Sequence, residues 1–242
     1  MAASDVPRFL NAGEAALVVE IGDSIAAELS ERVAMLDAAL AAAAIPGVGE
    51  TVPTYRSLLV NYDPAVIDTG GLIARLRALW PPTGRLAAPR HWIVPVAYGG
   101  SYGEDLDEFA RRKAMTSEAV VERHLAGRYR VYMVGFMPGF TYLGGLDPEL
   151  ALPRRDVPRT LTPAGSISIG GIQTAISSIA APSGWHLLGR TPVRAFDKRR
   201  DPPFLFNTGD LISFERIDAA AWRELAEAAA AGEPVARPAT PP

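Results

Sequence analysis

The residues from His91 onward form short β-type runs separated by glycine and proline, and this pattern constrains the fold more than any other feature of the chain. The runs are HWIVPVAY, YRVYMVGF, SISIGG, IQTAISSI, WHLLGR and LISFERI. Short apolar segments punctuated in this way predict strands joined by tight turns. We therefore predict a closed or nearly closed β-barrel for this part of the chain.

The N-terminal part has a different pattern. ALVVEIG and YRSLLVNYD are typical of strands, and each is followed by apolar residues at helical spacing, the first set ending at IPGVGE. PPTGRLAAPR then has the composition of a domain boundary. We predict an α+β protein: a small α/β domain at 1–88, the barrel at 89–218, and a C-terminal helix with a disordered tail at 219–242.

Two helices are predicted as an insertion in the barrel pattern. EDLDEFARRKAM is the first, and TSEAVVERHLAG is the second, with Thr116 or Ser117 as its N-cap and Gly127 as its end. The carboxylates at the start of the first helix are most simply a solvated helix terminus, and a catalytic dyad is the alternative. These carboxylates are Glu104, Asp105, Asp107 and Glu108.

Composition excludes several classes of function. The 24 Lys and Arg against 27 Asp and Glu give a net charge of -3, which lacks the basic surface that nucleic acid needs. The chain has no cysteine, so disulfides, thiolate metal sites and a cysteine nucleophile are excluded. The N-terminus does not have a basic start followed by an apolar core, and no run of about twenty apolar residues follows. We expect a cytoplasmic protein with no membrane partner.

Three motifs are tempting but incomplete. GDS at residues 22–24 resembles the setting of an esterase serine, yet no histidine has an aspartate three residues before it, so Asp23 or Ser24 as a helix cap is the simpler interpretation. Gly165 and Gly170 have P-loop spacing, but Gly171 stands where lysine is required. The three histidines lack metal-site spacing, so no metal is expected.

The segment GFMPGFTYLGGL, residues 135–146, is uncharged and aromatic, but it contains residues that disrupt a strand. Pro138 and Gly139 argue against simple burial in a sheet. We predict that the strand YRVYMVGF leaves the sheet at Pro138. The resulting rim would present Phe136, Phe140 and Tyr142 to a ligand or a partner, and an ordinary core is the alternative.

Two polar features could carry chemistry. His124 precedes the glycine-rich aromatic segment, and its simplest interpretation is a cation favoured by a helix C-terminus. PRRDVPR brings Arg154, Arg155 and Arg159 together, and arginine forks suit carboxylate or phosphate groups. A solvated loop is equally compatible with this arginine run.

These motifs, in order, resemble the carboxyltransferase subunit-1 family, which includes allophanate hydrolase subunit 1, the KipI kinase inhibitor and the B subunit of 5-oxoprolinase. The resemblance rests on GFMPGFTYLGGL, PRRDVPR, PAGSISIGGIQT, APSGWHLLGRTP and GDLISF and covers nearly the whole chain. It implies that the barrel is cyclophilin-like. AISSIAAPSGW departs from the family's usual GIYP-SPGGW, which places Ala175 and Ser183 where glycine is common.

The resemblance also implies a function and a site. It implies the B subunit of an ATP-dependent complex that opens 5-oxoproline, or a related small amide, to glutamate. The partners would be a homologous C subunit and a third small hydrolase component, and no ATP-binding motif is visible in this chain. The catalytic candidates are His124, Arg159, Gln173 and Arg190, and the candidates for a substrate or partner surface are Phe136, Pro138, Gly139, Phe140, Tyr142 and Trp185. A KipI-like module that inhibits a sensor histidine kinase is the alternative.

Overall fold

The computed structural model describes residues 6–83, 86 and 88–239. The chain divides into two compact units between Pro89 and Arg90, and each unit has its own apolar core. Residues 84, 85 and 87 of the PPTGRLAAPR boundary segment lie outside the described residues. The prediction of an α+β protein with a small N-terminal α/β domain and a β-barrel is confirmed.

The N-terminal unit is a four-stranded antiparallel sheet with two helices. Its elements are β1 (Arg8–Asn11), β2 (Ala16–Glu20), α1 (Ala27–Ala43), β3 (Val48–Pro53), β4 (Ser57–Tyr62) and α2 (Thr69–Ala78). The strand order is β1-β2-β4-β3. Buried residues alternate along β2 and β4, and they pack against apolar side chains of both helices.

Two details of this unit differ from the sequence-based prediction. The strands β1 and β3 were not predicted, because neither edge strand has a buried residue or the alternation that reveals a half-buried strand. Neither Asp23 nor Ser24 caps α1, since Ala26 occupies the N-cap position and makes no side-chain hydrogen bond there.

The C-terminal unit contains the barrel. Its strands are β5 (His91–Tyr98), β6 (Tyr129–Val134), β7 (Thr141–Gly144), β8 (Arg159–Thr162), β9 (Ser166–Gly170), β10 (Gln173–Ile176), β11 (Ala181–Ser183), β12 (His186–Arg190), β13 (Leu211–Arg216) and β14 (Arg237–Pro238). Seven of them close a ring in the order β12-β9-β10-β7-β6-β13-β5, and β5 pairs with β12. Only the β5–β13 pair of the ring is parallel. The strands β8 and β11 form a separate two-stranded ribbon.

Two helices contribute to the barrel core, as the insertion pattern predicted. They are α3 (Leu106–Arg112) and α4 (Ser117–Ala126). The Thr116 hydroxyl caps α4 by accepting a hydrogen bond from the Ala119 N–H at 3.1 Å. Apolar residues of both helices, among them Phe109 and Val120, join the cluster that fills the barrel. None of the helices in the described part of the chain is both long and apolar enough to cross a membrane.

The C-terminal segment differs from its prediction. The helix α5 (Ala219–Ala231) forms as expected and ends at Gly232, but the described residues after it are ordered rather than disordered. Arg237 and Pro238 pair with β5, and the Ala239 N–H donates to the His91 carbonyl at 2.8 Å. These backbone hydrogen bonds and the burial of Ala236 hold a segment that has few large apolar side chains. Residues 240–242 of the predicted tail lie outside the described residues.

Candidate functional site

The uncharged segment 135–146 contains the turn after β6, the whole of β7 and the two residues that follow it. Its turn is closed by hydrogen bonds between Gly135 and Phe140 at 3.0 Å and between Phe140 and Met137 at 3.0 Å. Phe136 has a φ of +69°, which is unusual for a residue with a side chain, and 72% of its surface is exposed. Gly139 has a φ of +73°, and a Cβ there would lie 2.7 Å from the Phe196 Cβ. The turn therefore requires glycine at 139.

The hairpin contains both a rim and a buried cluster. Phe136 and Pro138 are exposed on the turn, whereas Phe140 is only 6% exposed. β7 begins at Thr141, so the chain re-enters the barrel after the turn. The two interpretations of this segment, rim and core, thus apply to different residues a few positions apart.

Aromatic rings cover the outer side of the barrel sheet next to this hairpin. Phe140 lies 4.7 Å from Tyr142 and 6.3 Å from Trp185, centroid to centroid, and Tyr142 lies 5.9 Å from Trp185. Ala175 is buried beneath these rings. We call this surface the outer aromatic face and define it by Phe140, Tyr142, Ala175, Trp185 and Gln173.

Gln173 belongs to this face because of its position on β10. Side chains alternate across a strand, so Gln173 lies on the same side as Ala175, while Thr174 and Ile176 point into the barrel. Gln173 pairs with Gly170 on β9. The Trp185 ring lies directly over Gly170, so close that a Cβ on that glycine would be 2.5 Å from the ring.

The Gln173 side-chain nitrogen is buried and has no hydrogen-bond partner in the structure. A buried donor without a partner costs about 1–3 kcal/mol, so native proteins rarely leave one unexplained. An oxygen of a bound ligand would satisfy it. Of the predicted catalytic residues, Gln173 is thus the one whose side chain has a buried donor without a partner.

Arg159 has a different environment. Its guanidinium donates two hydrogen bonds to Asp105, at 2.5 and 2.7 Å, and Arg155 donates a third at 2.9 Å. The Leu187 backbone N–H donates to the same carboxylate at 2.8 Å. Only 3% of the Asp105 side chain is exposed. The expectation that Asp105 belongs to a solvated helix start is therefore wrong.

The charge state of Asp105 follows from these partners. Burial acts to raise the pKa of the Asp105 carboxyl, but the Arg159 hydrogen bond, the Leu187 N–H and the two positive charges outweigh it, so the pKa is lowered. The carboxylate is ionised at neutral pH and fixes Arg155 and Arg159 next to β12. Arg159 is thus engaged in an ion-pair cluster rather than facing an open site.

His124 lies in the barrel core and has no exposed surface. The Thr174 hydroxyl donates its one proton to the Ser168 carbonyl at 3.0 Å, so it accepts from His124 Nε2 at 3.1 Å. Nδ1 then accepts the Tyr98 hydroxyl proton at 2.8 Å. Burial lowers the pKa of His124 to about 3, so the ring is neutral and does not act as the cation that a helix C-terminus would favour.

Arg190 lies in a third environment. Its Nε donates to the Ala164 carbonyl at 2.9 Å, and its guanidinium stacks on the Trp222 ring with 5.1 Å between Cζ and the centroid. Trp222 in turn donates to the Arg190 carbonyl at 3.1 Å. The structure therefore distributes His124, Arg159, Gln173 and Arg190 over separate contact networks, and their joint participation in one site stays a prediction.

Sequence reasoning did not select Arg154 as a site residue, yet it reaches the outer aromatic face. Its Cζ lies 5.6 Å from the centre of the Trp185 ring. Burial raises the pKa of the Tyr142 hydroxyl, and the positive charge of Arg154 opposes that rise. The arginine run PRRDVPR was a usable signal, but the sequence could not show which of its arginines Asp105 neutralises.

No cluster of three or more His, Asp or Glu side chains able to hold a metal ion occurs among the described residues. The outer aromatic face is instead built from rings and one amide, and the Arg154 cation stacks on its Trp185 ring. Such a surface suits a small organic ligand with a few polar groups.

Comparison with known proteins identifies the family. Residues 7–206 match the model described as carboxyltransferase domain, subdomain C and D, and the chain belongs to this family. It is 33% identical over 222 residues to the B subunit of 5-oxoprolinase from Bacillus subtilis, covering 85% of this chain and 90% of that protein. It is 37% identical over 206 residues to the B subunit of 5-oxoprolinase from Escherichia coli O157:H7, covering 84% and 92%.

The fold also matches a much larger enzyme. Kluyveromyces lactis urea carboxylase superposes with a TM-score of 0.79 at 20% identity. The match covers 96% of this chain but only 24% of the urea carboxylase chain. At that identity the likeness establishes the shared fold.

Proposed function

We propose that this chain is the B subunit of an ATP-dependent 5-oxoprolinase-type complex. One water adds across the lactam C–N bond of 5-oxoproline and opens the ring to glutamate, and a second water is consumed when ATP is converted to ADP and phosphate. A related small amide would be hydrolysed at its own C–N bond in the same way. The relatives in Bacillus subtilis and Escherichia coli that share most of this chain's length support the assignment through their names. The observation on which it depends is the buried, unpartnered Gln173 amide nitrogen, two residues along β10 from Ala175 of the aromatic cluster.

Gln173 can contribute to amide hydrolysis by polarising the carbonyl. A donor aimed at the carbonyl oxygen stabilises the negative charge that develops there when water attacks. Because Gln173 Nε2 already lies in a buried position, it needs little desolvation when a substrate binds. Arg159 would act through the Asp105 cluster as a positioning residue. Roles for His124 and Arg190 stay predictions, since both side chains contact other parts of the protein.

The proposal includes partner subunits. The relatives are named as one subunit of 5-oxoprolinase, and in urea carboxylase the matching region is a minor part of a longer chain. The exposed Phe136 on the strained turn is a suitable contact for a second subunit. We expect a homologous C subunit and a third small hydrolase component to complete the enzyme, which we place in the cytoplasm.

ATP would be used by the complex, and Gly165 and Gly170, the two glycines with P-loop spacing, do not form a phosphate-binding loop. A P-loop requires glycines that lead into a helix N-terminus. Gly165 lies in the turn before β9, and Gly170 ends β9. Both therefore belong to a β-hairpin, and we assign no ATP contact to them.

Reconstitution tests the function. The chain is mixed with a homologous C subunit and a small hydrolase component, and glutamate released from 5-oxoproline in the presence of ATP is measured. We expect activity only when this chain is present. Gln173→Leu should lower kcat more than it changes the KM, because it removes a contact that strengthens in the transition state. Full activity of the partners without this chain would refute the proposal.

The kinase-inhibitor alternative rests on the same exposed apolar surface. Phe136 could dock a sensor histidine kinase instead of a partner subunit. An autophosphorylation assay with micromolar chain separates the two functions. Inhibition that Phe136→Ser abolishes, together with no glutamate release by the reconstituted complex, would favour the inhibitor.

A further inference from the structure

Arg154 differs from the other arginines of its loop. Arg155 and Arg159 both bind Asp105, whereas the structure gives Arg154 no carboxylate partner within the described part of the chain. Its guanidinium rests on Trp185 with 5.6 Å between Cζ and the ring centre. Stacking on a buried ring restricts an otherwise flexible side chain. Arg154 is therefore a positioned positive charge that is available to an anion.

The unpartnered donor of Gln173 belongs to the residue opposite Gly170, the glycine that the same tryptophan covers. The Trp185 ring covers Gly170, and Gly170 is the residue that pairs with Gln173 across the hairpin. Arg154 and Gln173 are thus connected through a single indole ring. A ligand that satisfies both groups needs a negatively charged group and a neutral oxygen acceptor within one small molecule.

The surroundings favour a flat ligand. Phe140, Tyr142 and Trp185 provide ring faces and edges, and they pack directly over Ala175 and Gly170. Aromatic surfaces of this kind pack against ring compounds and exclude water from the polar contacts. An extended or highly charged ligand would leave these apolar surfaces unused.

We propose that the outer aromatic face recognises a small cyclic amide that carries a carboxylate, with Arg154 as the residue that selects for the carboxylate. Arg154 pairs with the carboxylate, the Gln173 amide nitrogen donates to the lactam carbonyl oxygen, and the ring packs against Tyr142 and Trp185. This assignment rests on the proposed function. In it, Arg154 and Gln173 each contact a different group of the substrate.

Two probes that differ only in the carboxylate test this assignment. 5-Oxoproline and 2-pyrrolidinone share the lactam ring, so their affinities are compared by calorimetry and by ligand-observed NMR with the full chain and with the reconstituted complex. We expect 5-oxoproline to bind about tenfold or more tightly than 2-pyrrolidinone. Arg154→Gln should reduce that ratio at least about fivefold and leave the 2-pyrrolidinone affinity unchanged.

Matched variants separate the two polar contacts. Gln173→Leu should lower the affinity for both probes by a similar factor, because both carry the lactam carbonyl. Arg32→Gln serves as the control, since Arg32 is an exposed arginine on α1 of the other unit. It should change neither affinity. A circular dichroism spectrum and an unfolding curve for each variant check that the fold is retained.

The outcomes distinguish this assignment from the proposed function. The assignment is overturned if Arg154→Gln leaves the ratio of the 5-oxoproline and 2-pyrrolidinone affinities unchanged. It is also overturned if 5-oxoproline binds saturably to neither the chain nor the complex. If the complex releases glutamate and Arg154→Gln leaves the KM unchanged, the assignment fails while the function stands. If 5-oxoproline binds through Arg154 but the complex releases no glutamate, the function fails while the binding site stands.

Discussion

The buried neutral His124 makes the stability of this protein depend on pH. Its pKa falls from 6.5 to about 3 on folding because burial removes water from the ring. The unfolded chain therefore binds the proton more tightly, so this contribution is fully present above pH 6.5 and is lost as the pH falls toward 3. At about 1.4 kcal/mol per pH unit, the step from about pH 7.5 to about pH 4.5 lowers the free energy of unfolding by roughly 3 kcal/mol.

Urea unfolding at these two pH values measures the effect. His124→Gln cannot take up the proton, so the difference between its two unfolding free energies should be smaller than in the wild type by about 3 kcal/mol. NMR of the wild-type chain gives an independent check, because the His124 ring should remain neutral at about pH 5. Equal pH dependence in the wild type and the variant, or a His124 ring that titrates near 6.5, would show that burial does not hold the ring neutral.

Three further changes test the packing described above. Asp105→Asn leaves two arginines without their carboxylate and should cost about 3–5 kcal/mol of unfolding free energy. The control Glu104→Gln changes a side chain that is 59% exposed and should alter the unfolding free energy by less than about 0.5 kcal/mol. Equal urea midpoints for these two variants would contradict the ion-pair cluster. Gly170→Ala forces the Trp185 ring to move and should cost about 1–3 kcal/mol and change the tryptophan fluorescence, and an unaltered spectrum would show that the ring is not in contact. Thr116→Ala removes the α4 cap and should cost about 1 kcal/mol by urea unfolding, while a neutral result would mean that the cap is dispensable.

Much of the fold was predictable because it is encoded in local patterns. The Gly/Pro punctuation predicted the barrel, and apolar periodicity predicted α4 and its Thr116 cap. The edge strands and β14 were not predictable, because their residues gain order from backbone pairing with a neighbour and not from apolar alternation. The ion pairs of Asp105 were not predictable for a similar reason. In the sequence it is one of several carboxylates at the start of a helix, and only folding brings two distant arginines to it.

The order of residues along the chain was enough to establish the family, the two-unit organisation and the residue types available for chemistry, since these depend on composition, spacing and ordered motifs. Which of those residues can meet a ligand depends on how the chain packs. His124 and Arg159 carry suitable groups, but burial in the core and pairing with Asp105 engage them elsewhere. Gln173 and Arg154 become a candidate site because strand pairing and one tryptophan ring bring them together from separate parts of the chain.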